Sequence, residues 1–142
     1  MTESQLQEQI AQYLRLQYPN VLFHSDFGSG IKMTKGQAIK QKRQNGGIRG
    51  WPDMFIAEPI PKLQNNRFRV FNGLFLELKK DGVRLKKKND EWASDHIAEQ
   101  AKMLARLAEK GYRAEFAVGF DEAKRIIDEY LSFDTISNEN FN

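Results

Sequence analysis

The sequence predicts an α/β fold, helices packed on a mixed central sheet, and three observations predict it. Apolar residues recur at helical spacing in three separate segments. Short apolar runs of strand character alternate with those segments, and glycine, proline and asparagine punctuate the boundaries. Helix and strand patterns that alternate along one chain fold as layers.

The elements follow in order. Leu6, Ile10, Tyr13 and Leu14 share one face of a helix from Thr2 to Gln17, with Thr2 as its N-cap. Pro19-Asn20 ends that helix, and Val21-Leu22-Phe23-His24 reads as a short strand. Ser25 to Ile31 is a glycine-containing loop. Thr34 to Asn45 is a short, strongly basic helical segment closed by Gly46-Gly47. Strands are expected at Asp53–Ala57 and Leu74–Lys79. Pro59 to Asn66 connects them, and Arg67–Phe71 extends the hairpin. Asp81-Gly82 marks a turn, and a charged loop runs to about Ala93. Ser94 caps a helix through Lys110 whose stripe is Ile97, Ala101, Leu104 and Leu107/Ala108, with Gly111 at its C′ position. Ala114–Val118 is a strand, and Asp121 caps a last helix that ends at Leu131. The order is α-β-(α)-β-β-α-β-α. It makes one domain over 1–131, with a basic insert at about 32–49 and a frayed acidic tail at 132–142.

Composition narrows the function classes. A chain of 142 residues can bury a real core. No apolar run reaches the roughly 18 residues of a membrane span, so no membrane partner is expected. The polar opening Thr2-Glu3-Ser4-Gln5 is unlike a secretory signal, which makes a cytoplasmic setting the expectation. Without cysteine there is no disulfide, no thiolate zinc site and no cysteine nucleophile. No phosphate-binding glycine loop, dinucleotide fingerprint or nucleophile elbow occurs, so no nucleotide cofactor is expected. Net charge is only +3, but it is unevenly spread. Lys32, Lys35, Lys40, Lys42, Arg43 and Arg49 form one basic stretch without an acid. Lys79, Lys80, Arg84, Lys86, Lys87 and Lys88 form another, interrupted only by Asp81. Such stripes are ordinarily solvated faces. Flanking a cluster of carboxylates, they suit a polyanion better.

That cluster is the main chemical signal. Gly50-Trp51-Pro52-Asp53 precedes one apolar run, and Glu77-Leu78-Lys79 closes another. Alternate strand side chains point to one face, so Glu77 and Lys79 lie together, roughly 7 Å apart at the backbone. If the two strands pair, Asp53 joins Glu77 at a sheet edge. Two carboxylates are hard oxygen ligands of the kind Mg²⁺ or Mn²⁺ prefers. A lysine beside them places positive charge where water and a phosphate would meet. The competing reading is a turn aspartate and a surface ion pair. Two charges on one face of so apolar a strand argue for a site.

These motifs, in order, resemble those of the virus-type replication-repair nucleases, the VRR-NUC domain of the PD-(D/E)XK nuclease superfamily. The resemblance covers about Glu3 to Leu131. It rests on Glu3-Ser4-Gln5-Leu6-Gln7 in the first helix, Gly50-Trp51-Pro52-Asp53, Glu77-Leu78-Lys79, and Gln100, eleven residues before Gly111. It implies a restriction-endonuclease-like core, α-β-β-β-α-β, with a central mixed sheet flanked by helices. Asp53, Glu77 and the Leu78 backbone carbonyl would hold Mg²⁺ or Mn²⁺. Glu3 would reach the site from its helix, directly or through water, with Glu8 as the alternative. Lys79 would orient or activate the attacking water and stabilise the phosphorane-like charge. Gln100 would buttress the site or contact the phosphate. The resemblance further implies a phage- or prophage-encoded DNA endonuclease, dimeric, that prefers four-way junctions or flaps to linear duplex. A non-catalytic binding module of the same fold and an RNA-processing nuclease are the alternatives.

The chain departs from the family pattern in two places. The loop before the glutamine helix is long, which leaves Lys86 to Glu99 open as an added substrate-binding or dimer element. The loop at Ser25-Asp26-Phe27-Gly28-Ser29-Gly30 lacks the common asparagine-glycine pattern, making Asp26 a marginal candidate. His24 and His96 read as structural or surface residues and Trp51 as core. Trp92 reads as a stacking residue or subunit contact.

Overall fold

The computed structural model describes residues 1–26 and 33–132. Lys32, the Phe27–Ile31 part of the glycine loop and tail residues 133–142 lie outside them. The elements are α1 (Glu3–Gln17), β1 (Phe23–Ser25), α2 (Lys35–Gln44), β2 (Met54–Ile56), β3 (Ile60–Gln64), β4 (Arg67–Phe71), β5 (Leu74–Lys79), α3 (Asp95–Glu109), β6 (Arg113–Val118) and α4 (Phe120–Leu131). A four-stranded mixed sheet runs β1-β2-β5-β6, antiparallel until the parallel pair β5-β6. The crossover between that parallel pair carries α3.

Helix starts follow their local chemistry. Thr2 and Thr34 each accept from the backbone N–H three residues on, while Gln5 and Gln37 return the bond to the cap backbone. Ser94 caps α3 in the expected way. Asp121, expected as the cap of α4, instead sits in its first turn, where a negative charge favours the helix dipole. Gly119 takes the cap position at φ +84, and its N–H bonds to the Lys79 carbonyl at 2.8 Å.

β5 is the centre of the molecule, and all six of its residues are buried. Leu74, Leu76 and Leu78 face one side, with Met54 and Ile56 of β2. There Leu6, Ile10 and Leu14 of α1 and Ile126, Ile127 and Tyr130 of α4 close the main core. Asp128 ties the two helices together, accepting from Tyr13 Oη and from Tyr18 Oη at 2.7 Å. Phe75, Glu77 and Lys79 face the other side. Met103 and Leu107 of α3 cover Phe75 there, and Phe55 packs beside them. One face is therefore a dry core. The other carries the charged groups under α3.

The connection between β2 and β5 differs from expectation. Pro59 to Asn66 does not loop, and Arg67–Phe71 does not lengthen the central hairpin. Instead β3 and β4 pair with each other as a separate ribbon. Asn65 and Asn66 both adopt positive φ, 52° and 63°, as a two-residue hairpin turn demands. Lys62 anchors the ribbon by donating to the Glu129 carbonyl at 2.9 Å. The first short strand is Phe23–Ser25, one or two residues later than the apolar run suggested.

Candidate active site

The register of β2 and β5 sets the site. Met54 pairs with Leu76 and Ile56 with Leu74, so Asp53, just before β2, falls opposite Glu77. Gly119 N–H bonds the Lys79 carbonyl, so β5's odd-numbered backbone groups face β6. Its even-numbered groups therefore face β2, and residues 55/75 and 53/77 oppose each other without exchanging backbone bonds. Side chains of such pairs approach most closely. Phe55 and Phe75 show it, stacked with centroids 4.4 Å apart and planes 11° apart. One pleat further on stand the two carboxylates. They lie at the ends of two central strands, not at a sheet edge.

Each group is held by a nameable partner. The Leu78 N–H donates to Asp53 Oδ2 at 2.8 Å. N–H and C=O of one strand residue point to the same side, so the Leu78 carbonyl also faces Asp53. Lys79 Nζ stands 3.9 Å from Glu77 Oε1, and both side chains are buried. Gln100 Nε2, also buried, donates to that same Glu77 oxygen. The long loop before α3 does not hinder this. Trp92 packs on Phe116 at 5.7 Å, carries Lys86 over its ring at 4.9 Å, and returns the chain against β6. Gly50 completes the fit. At φ +81 a β-carbon there would lie 3.1 Å from the Glu99 carbonyl, so only glycine lets this loop close on α3 beside Gln100.

Burial, and then the charge of Asp53 beside it, push the Glu77 carboxyl up to about 9. Asp53 is also raised by burial, against the lowering effect of the Leu78 N–H and of its hydrogen bond with Glu77. Glu3 adds to that rise through its charge, so α1 does bring it towards the site. It does not complete a ligand set: among the described residues no three His, Cys, Asp or Glu side chains converge on one point. Glu8 is exposed. Gln7, passed over as a site residue, is buried and donates to Ser25 Oγ and to the Asp26 carbonyl at 2.8 Å. It pins the end of β1 beside Asp53, whose carbonyl accepts from the Asp26 N–H at 2.7 Å. The Leu-Gln step of the first motif was the signal for it.

Among the described residues three buried side-chain acceptors have no donor; one is Gln9 Oε1 on α1, and the other two, Glu77 Oε2 and Gln100 Oε1, belong to this site. Orphaned buried acceptors cost free energy unless something absent from the protein atoms satisfies them. With Asp53 and the Leu78 carbonyl the two at this site make an all-oxygen donor set, which fits a hard divalent cation.

Apart from the buried Lys79, the expected basic residues within the described part of the chain are exposed. Lys35, Lys40, Lys42 and Arg43 are exposed on α2, Arg49 follows it, and Lys80, Arg84, Lys86 and Lys87 are exposed on the loop before α3. Lys35, Lys42 and Arg49 line a cleft of about 530 Å³ that also contains Trp51. Trp51, expected in the core, is 41% exposed and leans on Phe75 at 6.2 Å. His24 and His96 are exposed.

A solved structure described as a VRR_NUC domain protein matches this chain with a TM-score of 0.61. The match covers 94% of this chain and 90% of that one, at 24% sequence identity. The chain has the VRR_NUC fold. No family model matches the sequence, and no curated protein matches it. On the VRR_NUC fold, then, this sequence brings Asp53, Glu77, Lys79 and Gln100 to one place, with Glu3 at its margin.

Proposed function

We propose that the chain is a VRR-NUC nuclease of the PD-(D/E)XK superfamily, hydrolysing DNA phosphodiester bonds with Mg²⁺ or Mn²⁺. One observation carries the reading. Glu77 and Lys79 are buried together with Asp53 half-buried beside them, although nothing in the core requires these charges, and one Glu77 oxygen has no hydrogen-bond partner. Desolvating such a cluster opposes folding. It is intelligible as a site that a cation completes.

Asp53, Glu77 and the Leu78 carbonyl would hold the cation, which when bound supplies Lewis acidity toward the phosphate and acidifies water. Gln100 fixes the Glu77 carboxylate by bonding one of its oxygens, leaving the other free. Lys79 lies against that carboxylate with its ammonium turned to the same place. It is positioned to orient the attacking water and to offset the negative charge carried by the phosphoryl oxygens as water adds and the P–O bond to the sugar breaks. Glu3 sits further out, suited to a water-mediated role.

Substrate preference and assembly extend the proposal. A branched or flapped DNA, and a homodimer whose two sites match paired strands, fit broad basic surfaces that read shape more than sequence. A phage or prophage source and a cytoplasmic setting go with that reading. The test is purified protein with Mg²⁺, Mn²⁺, Ca²⁺ or EDTA on linear, flapped and four-way-junction DNA at equal salt, with light scattering for mass. Cleavage in Mg²⁺ or Mn²⁺, silence in EDTA, a dimeric mass and faster cutting of branched substrates are expected. No cleavage of any substrate would overturn the nuclease reading. Equal rates by a monomer would overturn only the junction preference.

Helix α2 gives a separate prediction. Replacing Lys40, Lys42 and Arg43 together with glutamine should weaken DNA binding and leave Mn²⁺ affinity unchanged. The plot of log binding constant against log salt should lose a slope of about one unit for each phosphate contact removed. An unchanged slope would mean that this part of α2 faces away from the nucleic acid.

A further inference from the structure

Next to Asp53 the sheet face continues into a hollow of about 490 Å³ between β1–β2 and α2. α3 covers the β5–β6 half of that face, which leaves this half open. The floor is aromatic. Phe55 lies directly across from His24 and stacks on Phe75, while Trp51 closes one side. The opposite wall is amide-bearing: Gln41, Gln44 and Asn45, spaced to share one face of α2 and its C-cap. None of the residues of α2 is buried, so no apolar contact explains why amides line this wall. The hollow also joins the basic cleft, sharing Asp26, Gln41, Asn45 and Trp51 with it.

An aromatic floor, amide groups at the rim and an adjoining cationic channel describe one ligand chemistry. Nucleobases stack on aromatic faces whatever their identity, and Asn and Gln side chains pair with base edges. The aromatic row lies one pleat from the carboxylate row, about 7 Å along the strand, so a phosphate at Asp53 and Glu77 would leave its own base over Phe55 and Trp51. A base inside a duplex would first have to be unpaired and unstacked, a cost that an already unpaired base does not carry.

We propose that this hollow takes one unpaired nucleobase, the one attached to the scissile phosphate. The site therefore acts where a base is already free of the helix: at a flap, a branch point or a frayed end. The proposal rests on the nuclease reading for the word scissile, but the pocket itself can be tested without cleavage.

The probe is an oligonucleotide with 2-aminopurine as the unpaired residue at a flap junction, bound in Ca²⁺, in deoxy and ribo versions. Stacking in the hollow should quench its emission severalfold with the wild-type protein. Trp51→Ala should lose most of that quenching and Trp51→Phe should retain it. Trp51 is 41% exposed, so neither change should unfold the chain, and circular dichroism checks that. In Mg²⁺, an abasic residue at the same position should slow wild-type cleavage about tenfold, and Trp51→Ala should cut both substrates at that slower rate. Quenching of either strand type carries the pocket; quenching of neither overturns it, even if the protein cuts DNA. Equal cleavage of abasic and intact flaps overturns it as well. A protein that quenches the probe but cuts nothing would defeat the nuclease reading and leave the pocket standing.

Discussion

Asp53→Asn and Glu77→Gln should each abolish cleavage, by at least about a hundredfold, while the protein stays folded. Both substitutions preserve shape and remove one ligand charge, so the loss should trace to the cation. Lys79→Ala should cost a similar factor, about 10²–10³, for a different reason: it removes a charge that acts on the growing negative charge of the transition state. Calorimetric titration separates the two. Mn²⁺ affinity should collapse in the carboxylate variants and persist in Lys79→Ala. All three side chains are at least half-buried at the end of the two central strands, and the Leu78 N–H that bonds Asp53 can bond an asparagine oxygen equally well. Normal Mn²⁺ binding in both carboxylate variants would remove the two-carboxylate site. Near wild-type turnover by Lys79→Ala would remove the lysine from the mechanism.

How much of this was legible in the sequence depends on what kind of information each feature needs. Helix boundaries were readable because capping is local: Thr2, Thr34 and Ser94 each bond a backbone N–H three residues away. The start of β5 was readable because a strand buried on both faces opens as an apolar run, Leu74-Phe75-Leu76, and its end because Glu77-Leu78-Lys79 stood out as a motif. Asp53 beside Glu77 was readable once β2 and β5 were paired, since register fixes what stands opposite. The β3–β4 ribbon was missed although Asn65-Asn66 signals a two-residue turn, because Pro59 and Pro61 argue against strands. Other features needed the third dimension. The role of Gly50 depends on the backbone at Glu99, far along the chain, and Trp51 looked like core because nothing local says which face of a loop meets solvent. Gln100 could be picked out by motif, but its contact with Glu77 required Trp92 to fold the intervening loop onto Phe116.

The same carboxylate that is needed for activity should weaken the metal-free fold. Glu77 is raised in the folded protein from an ordinary 4.5 to about 9, first by burial and then by Asp53. Between those two values the folded chain holds a proton that the unfolded chain releases. Stability from this group is therefore fully present below about pH 4.5 and is lost as pH rises through 9. Asp53 is shifted in the same direction. Glu77→Gln stays neutral throughout and keeps the Gln100 contact, so it should escape the loss. In EDTA, thermal melts from pH 5 to 9 should show the wild type falling progressively below Glu77→Gln, by at least about 3 °C at the upper end, roughly what 1 kcal/mol produces in a chain of this size. Taking the difference between the two proteins removes groups common to both, such as Lys62, whose lowered ammonium shifts stability the opposite way. Mn²⁺ should then raise the melting point of the wild type at pH 8 and do little for the variant, because the cation takes the proton's place only where a carboxylate can hold it. Parallel pH profiles for the two proteins would mean that Glu77 is solvated or paired in solution, and would take away the physical reason for expecting a cation there.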